Sequence, residues 1–117
     1  MEFALEIIKH FSKQINEVLL ERPDDGFAIE RNGKKYLVVI KHGFNGNSLP
    51  LSVVPRVAGR ISRYKDQYEN VFFVTDGLFH IDHINAVDNK QDIQNMLFVH
   101  KYDSVDAIGY IEGVING

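Results

Sequence analysis

The feature that most constrains the fold is the dipeptide Asn32-Gly33, which separates two runs of residues that favour β-strands. A two-residue hairpin turn of the commonest type needs positive φ at both central positions, and asparagine followed by glycine tolerates this best. The sequence therefore predicts an antiparallel hairpin in which residues 27–30 pair with residues 36–41. A break at residues 22–26, rich in proline, aspartate and glycine, precedes the first strand.

A two-residue turn also predicts the register of this hairpin. Gly26 then lies opposite Val39, and Asp24 lies opposite Lys41 at the open end. Because side chains alternate between the two faces of a strand, one face is strongly apolar and is predicted to be core. Its members are Phe27, Ile29, Tyr36, Val38 and Ile40. A three-residue turn would shift the pairing by one residue and bring Asp25 into play instead.

The rest of the chain alternates between helical and strand-like patterns. An amphipathic helix begins near residue 4 and either runs to about residue 20 or ends near residue 13, leaving residues 17–20 extended. Further helices are predicted at 52–68, 88–94 and from residue 104, and further strands at 71–74 and 97–99. The strand after the long helix is predicted to lie parallel to a hairpin strand. The sequence thus predicts an α/β fold, with a central mixed β-sheet that contains the hairpin and is flanked by helices.

Composition narrows the class of protein. A chain of 117 residues with 44% hydrophobic and 25% charged residues fits a single folded domain. There is no cysteine, which rules out disulfides, thiolate metal sites and cysteine nucleophiles. The N-terminus does not look like a signal peptide, and no run of 18 apolar residues occurs, so the expectation is a cytoplasmic protein that does not span a membrane. A net charge of −3 does not exclude a local basic face.

Asp24 and Lys41 at the end of the predicted hairpin permit two interpretations. In the first they form a cross-strand ion pair at the edge of the sheet, which contributes a fraction of a kcal/mol when exposed. In the second they belong to a metal-dependent hydrolytic site, where the carboxylate binds a divalent ion and the ammonium holds a water or stabilises developing charge.

The order helix, Pro-Asp, hairpin, strand ending in lysine, helix and strand resembles the PD-(D/E)xK or restriction-endonuclease-like fold. Within this fold class, the sequence resembles the small Mrr-like and Holliday-junction-resolvase-like members. The resemblance covers residues 2–74, and the strand and helix that often follow would complete a single restriction-endonuclease-like domain over residues 1–117. By position, Pro23-Asp24 matches the Pro-Asp of the motif and Lys41 its final lysine. Glu6 matches an extra acidic residue on the first helix of several such nucleases.

This resemblance implies a nucleic-acid-acting protein whose catalytic residues are Asp24, Lys41 and Glu6. Asp24 would bind Mg²⁺ or Mn²⁺, and Lys41 would position the attacking water. The sequence departs from the motif at Val39, where a second acidic ligand is expected and hard divalent ions need several oxygens. Glu30 does not replace it, because it lies about 20 Å from Asp24 along an extended strand, at roughly 3.3 Å per residue. The expected function is therefore DNA binding or weak nuclease activity.

Arg56, Arg60 and Arg63 recur at helical spacing and form one basic stripe on the predicted long helix. Such a stripe either contacts the phosphates of a nucleic acid or is a solvated helix face. A solvated face is the commoner case for such a helix. The suspected fold keeps the first interpretation open, since it places this helix close to the nucleic acid.

The stretch from His80 to His83 contains three residues of metal-ligating type, namely His80, Asp82 and His83. Imidazole and carboxylate groups suit zinc or another transition ion, whereas the alternative is a polar loop. A function of a different class is also compatible with the sequence. The apolar helices and net acidity permit a small protein-interaction domain, for example a homodimer, without a nucleic-acid role.

Overall fold

The computed structural model describes residues 2–18, 26–63, 65–101 and 103–117. Within these ranges it contains four α-helices and five β-strands. In chain order they are α1 (Glu2–Phe11), β1 (Ile15–Val18), β2 (Gly26–Arg31), β3 (Lys34–Lys41), α2 (Val53–Ile61), β4 (Asn70–Thr75), α3 (Ile81–Asn85), β5 (Met96–His100) and α4 (Ser104–Asn116). No helix in the described ranges is both long and apolar enough to cross a bilayer.

The five strands form one sheet in the order β1-β2-β3-β4-β5. Strands β1, β2 and β3 are antiparallel neighbours, whereas β4 is parallel to β3 and β5 is parallel to β4. A parallel neighbour needs a crossover connection, which α2 provides between β3 and β4. The predicted α/β class with a mixed sheet flanked by helices is confirmed, as is the parallel strand after the long helix.

The hairpin of β2 and β3 has the predicted two-residue turn. Asn32 and Gly33 have φ values of 56° and 78°, as a turn with two left-handed residues requires. The register runs from Arg31 opposite Lys34 to Gly26 opposite Val39, which confirms the prediction as far as the described residues extend. Asp24 lies outside them, as do Pro23 and Asp25, so the predicted pairing of Asp24 with Lys41 stays a prediction.

Both faces of the sheet are buried. The first face packs against α1 and α4, and its strand residues are the predicted core set Phe27, Ile29, Tyr36, Val38 and Ile40, together with Phe72 and Val74. The second face, called here the α2 face, packs against α2, and its strand residues are Ala28, Leu37, Val39, Val71, Phe73 and Met96. Alternate residues of β3 therefore serve two separate apolar layers, as expected for a central strand that helices cover on both sides.

The structure decides between the two alternatives for the first helix and differs from two other helix predictions. α1 ends at Phe11 and a strand follows at Ile15–Val18, which agrees with the shorter of the two alternatives. The predicted helix at 52–68 ends at Ile61 and is followed by Ser62, whose hydroxyl donates to the carbonyl of Gly59. The predicted helix at 88–94 is a short 3₁₀ turn, Lys90–Ile93.

A polar cluster joins the hairpin to α4 and to the 3₁₀ turn Ser12–Gln14 that follows α1. The Arg31 guanidinium donates to both carboxylate oxygens of Glu112, at 3.0 and 2.8 Å, and also to the side chains of Gln14 and Asn116. The hydrogen bond from Arg31 holds the pKa of Glu112 below its ordinary value, against the opposing effect of partial burial. The bidentate pair thus fixes the tip of the hairpin against the last helix.

Replacing Glu112 with glutamine is expected to lower the free energy of unfolding by about 1 kcal/mol at pH 7, because a charge-assisted pair becomes a neutral one. A carboxylate with a lowered folded-state pKa stabilises the fold above its unfolded pKa, and this contribution is lost as the pH falls through the folded pKa. Urea denaturation of both proteins at pH 7 and at pH 3 tests this, with Glu69→Gln as a control on an exposed glutamate. An equal loss at both pH values would contradict the assigned role of the ion pair.

Candidate functional site

The carboxyl ends of β3, β4 and β5 meet at one edge of the sheet, called here the carboxyl edge. Lys41 pairs with Thr75, and Thr75 pairs with His100. Ligand sites of open α/β sheets form at this edge, because loops of adjacent strands converge there. Lys41 is half-buried, and alternation along β3 assigns it to the α2 face, like Leu37 and Val39. The structure therefore places the candidate catalytic lysine where a site is expected.

Val39 occupies the position at which the motif has its second acidic residue. Its side chain is 0% exposed and belongs to the apolar cluster of the α2 face. Gly26 and Phe73 are its partners on the two neighbouring strands. A carboxylate here would lie among apolar groups without water, which strongly disfavours its ionised form. Position 39 is thus part of the core, and it offers no oxygen to a metal ion.

Glu6 and Lys41 do not meet on one face of the sheet. The exposed Glu6 carboxylate accepts a hydrogen bond from the hydroxyl of Ser104, at the start of α4. Helix α1 packs on the face opposite α2, through Ala4, Ile7 and Phe11. In the structure Glu6 therefore joins α1 to α4. Its predicted catalytic role, like that of Asp24, stays a prediction.

Asp76 organises the loop at the carboxyl edge, a role that the sequence did not predict. Its side chain is only 6% exposed, and its carboxylate accepts the backbone N–H groups of Gly43, Phe44 and Asn45 at 3.2, 3.1 and 3.4 Å. Its own carbonyl accepts the N–H of Gly46 at 2.9 Å. Successive N–H groups that converge in this way form an anion-binding concavity. Asp76 fills it and thereby holds the loop that follows Lys41.

Close packing completes this edge at Gly77. A Cβ atom built there would approach a methyl carbon of Leu49 and the Cβ of Phe44 to 3.0 Å, and the carbonyl oxygen of Asn47 to 3.1 Å. Only a residue without a side chain fits such a space comfortably. The pair Asp76-Gly77 is therefore the sequence signal of a loop docked onto the end of β4.

The predicted basic stripe is exposed. Val53, Val54, Val57, Ala58 and Ile61 bury the inner side of α2, and Arg56 and Arg60 lie on its solvent side, with Arg63 exposed just beyond its end. Arg56 makes only a long contact, 3.5 Å, to the hydroxyl of Ser52. The structure thus presents the three guanidinium groups to solvent from one helix and the turn that follows it.

The histidine-rich stretch forms the short helix α3 rather than the polar loop that was the alternative to a metal site. His83 is 0% exposed: its Nε2 donates to the carbonyl of Leu49 at 2.9 Å and its Nδ1 accepts the N–H of His80 at 3.2 Å. His80 and Asp82 face each other at 3.5 Å on the surface. No three histidine, aspartate or glutamate side chains converge on a metal position in the described part of the chain. His83 is therefore a structural histidine that ties α3 to the loop before α2.

The fold and the carboxyl edge together define an α/β domain with a five-stranded mixed sheet. No protein-family model, no curated protein and no solved structure matches the chain.

Proposed function

We propose that this chain is a nucleic-acid-binding domain of restriction-endonuclease-like architecture in which the metal site is incomplete. The uneven distribution of charge along the chain carries the proposal. Eight of the 13 lysine and arginine residues lie between Arg31 and Lys65, a segment without a single aspartate or glutamate. The remaining residues contain the other five basic residues and all 16 acidic ones. A clustered excess of positive charge on an otherwise acidic protein is typical of a surface that binds a polyanion such as a nucleic acid.

The structure divides the basic residues of this segment. Arg31 is paired with Glu112, Lys65 with Asp66, and Lys34 and Lys35 lie at the tip of the hairpin. The other four are Lys41 at the end of β3 and Arg56, Arg60 and Arg63, which α2 and the turn after it present to solvent. Guanidinium groups spaced along a helix are suited to successive phosphates of a backbone, since each donates several hydrogen bonds from a planar group. Lys41 lies at the carboxyl edge, at the end of the strand that precedes α2, and would contact a phosphate from there.

The order of elements supports the suggested architecture. A helix, an antiparallel meander of three strands, a crossover helix and a parallel strand follow one another from α1 to β4. The sequence resemblance implies the same order for the helix, the hairpin that ends in Lys41, the crossover helix and the parallel strand, and β1 is an additional strand before the hairpin. The likeness rests on topology and on one lysine, so it supports the fold family rather than an activity.

The buried valine at position 39 favours binding without cleavage. Coordination of Mg²⁺ or Mn²⁺ by several protein oxygens would need a carboxylate at position 39. The structure has packed apolar side chains there. In the proposed protein Lys41 has no metal-bound water to position, and its role is contact with a phosphate. The proposed protein therefore holds a nucleic acid and leaves it intact.

Changing Arg56, Arg60 and Arg63 together to alanine is expected to weaken binding to a DNA duplex by about 10- to 100-fold at low salt. Each lost phosphate contact should also lower the slope of log affinity against log salt by about 1. Fluorescence anisotropy across a salt series measures both quantities. A matched control changes three exposed lysines outside the basic segment, Lys9, Lys13 and Lys101, to alanine and removes the same charge.

Equal losses in the two triple variants would show that the binding is not localised to α2. Absence of binding by the unchanged protein at low salt would overturn the proposal and favour the protein-interaction alternative. The same samples incubated with Mg²⁺ or Mn²⁺ should show no cleavage. Metal-dependent cleavage that Lys41→Ala abolishes would instead establish an active nuclease.

A further inference from the structure

The sheet of the described chain has two edge strands, β1 and β5. An edge strand presents a row of backbone N–H and C=O groups to a further strand, and proteins commonly protect such a row with a bulge, a charged residue or a proline. β1 has a shift of register between Ile15 and Glu17. β5 pairs with β4 from Met96 to His100 without a shift, and it includes no lysine, arginine, aspartate, glutamate or proline. β5 is therefore the edge that lacks these protective features.

A hydrogen bond at the end of β5 shows which of its backbone groups point outward. The N–H of Lys101 donates to the carbonyl of Thr75 at 3.0 Å. Since alternate residues of a parallel strand bond to opposite sides, residues 97, 99 and 101 bond to β4. The N–H and C=O groups of Met96, Phe98 and His100 therefore point away from β4. Within the described part of the chain, no other backbone or side-chain group bonds to them.

The side chains at this edge are apolar and already ordered. Met96 is buried and Phe98 is half-buried, both on the α2 face. The ring of Phe79 stacks on that of Phe98, with centroids 4.7 Å apart and an angle of 20° between the planes. Leu97 is half-buried against the apolar cluster of the other face. An incoming strand would thus meet fixed apolar side chains on both faces, which have little conformational entropy left to lose.

We propose that β5 pairs with β5 of a second copy of this chain, antiparallel about a two-fold axis beside Phe98. In this register the outward groups of Phe98 bond to those of the other Phe98, and those of Met96 bond to those of His100. Every outward group of β5 thereby gains a partner, and the two Phe98 side chains form a cross-strand aromatic pair. The interface is isologous, so that one surface serves both copies. The association needs no nucleic acid and is independent of the proposed function.

Charge at the two ends of β5 favours a second copy in this orientation. Asp92 lies in the 3₁₀ turn before the strand, and Lys101 follows the strand directly. Antiparallel pairing places the Lys101 end of one copy beside the Asp92 end of the other, whereas parallel pairing would place the two lysines together. The nearest other charges are engaged within the chain, Lys90 with carbonyl groups at the end of α3 and Asp103 with the N–H of Val105.

The absence of cysteine from the chain allows a direct test with introduced cysteines. In the proposed register Leu97 of one copy lies opposite Val99 of the other, with Cα atoms about 4.5 Å apart, which a disulfide can span. A mixture of Leu97→Cys and Val99→Cys is expected to form a disulfide-linked dimer in oxidised glutathione at least about tenfold faster than either variant alone. Non-reducing electrophoresis over time measures the rates. Leu5→Cys mixed with Leu51→Cys, at exposed positions outside β5, measures cross-linking by chance collision.

A proline at an outward position tests the backbone pairing itself. His100→Pro removes one outward N–H without breaking a bond to β4, so association is expected to fall at least about tenfold, whereas His100→Ala should change it little. Sedimentation velocity without nucleic acid measures association, and circular dichroism verifies folding. If His100→Pro does not fold, the cross-linking rates decide.

Three results would overturn the proposal. The first is cross-linking of the Leu97→Cys and Val99→Cys mixture no faster than that of the control mixture. The second is undiminished association of a folded His100→Pro protein. The third is an unchanged protein that stays monomeric at millimolar concentration, which would leave this edge to a strand of another protein.

Discussion

Replacing Val39 with glutamate, which restores the carboxylate of the PD-(D/E)xK motif, is expected to destabilise the domain by about 4 kcal/mol at pH 7. Val39 is fully buried among apolar side chains of the α2 face, between Gly26 and Phe73 on the adjacent strands. A carboxyl group in such surroundings keeps its proton to a higher pH than in the unfolded chain, by about three pKa units. The loss is a large part of the 5–15 kcal/mol that typically stabilises a domain.

The pH dependence of this loss identifies its cause. Because the folded-state pKa of the new glutamate is raised, the destabilisation is smallest below its unfolded pKa, about 4.3, and grows as the pH rises from there. Val39→Gln introduces a side chain of similar size that does not ionise, so its effect should stay nearly constant with pH. Urea denaturation of both variants between pH 4.5 and pH 7.5, with wild-type protein at each pH, separates the effect of charge from that of size.

The same variant decides between a lost metal site and a packed core. A stable Val39→Glu protein that cleaves DNA when Mg²⁺ is added would show that position 39 borders a site open to metal. An unstable protein without cleavage supports the proposed binding function, in which the carboxylate position has become part of the core.

Replacing Asp76 with alanine is expected to lower the free energy of unfolding by about 3 kcal/mol, because three backbone N–H groups lose a charged acceptor. The loop of residues 43–46 should then exchange its amide hydrogens faster, and hydrogen exchange followed by mass spectrometry measures this. Nucleic-acid affinity should also fall, since the loop connects Lys41 to α2.

Asp76→Asn is the matched variant for this prediction. Its one amide oxygen can still accept the N–H groups bound by one carboxylate oxygen, whereas its NH₂ group cannot accept those bound by the other. The loss should therefore be smaller than that of the alanine variant but still measurable. Full stability of the alanine variant together with unchanged exchange in residues 43–46 would contradict the role of Asp76 as the anchor of the loop.

Local signals account for what the sequence predicted well. The turn at Asn32-Gly33 requires backbone angles that few residue pairs adopt, and it fixes the register of the hairpin. The register and the alternation of side chains then determine which residues of β3 lie on each face of the sheet. The predicted faces are correct for the same reason, because a one-residue shift would have moved Tyr36, Val38 and Ile40 to the α2 face. The class of fold followed from the alternation of strands and helices.

Distant contacts account for what the sequence did not predict. Asp76 acquires its role from N–H groups more than 30 residues earlier in the chain. His83 looked like a metal ligand because no local pattern shows that its ring bonds to Leu49, 34 residues away. The burial of Val39 follows from α2 covering that face of the sheet. The hairpin pattern alone assigned Val39 to this face of the sheet, but it did not show that a helix covers the face.

The separation of charge along the chain has a kinetic consequence. With eight basic residues and no acidic ones from Arg31 to Lys65, against five basic and 16 acidic residues elsewhere, the domain has an electric dipole moment as well as its net charge of −3. In the field of a polyanion, a molecule of this kind feels a torque that turns its positive end forward before any atoms touch. A larger fraction of encounters then begins in a productive orientation, even though the molecule as a whole is repelled at long range.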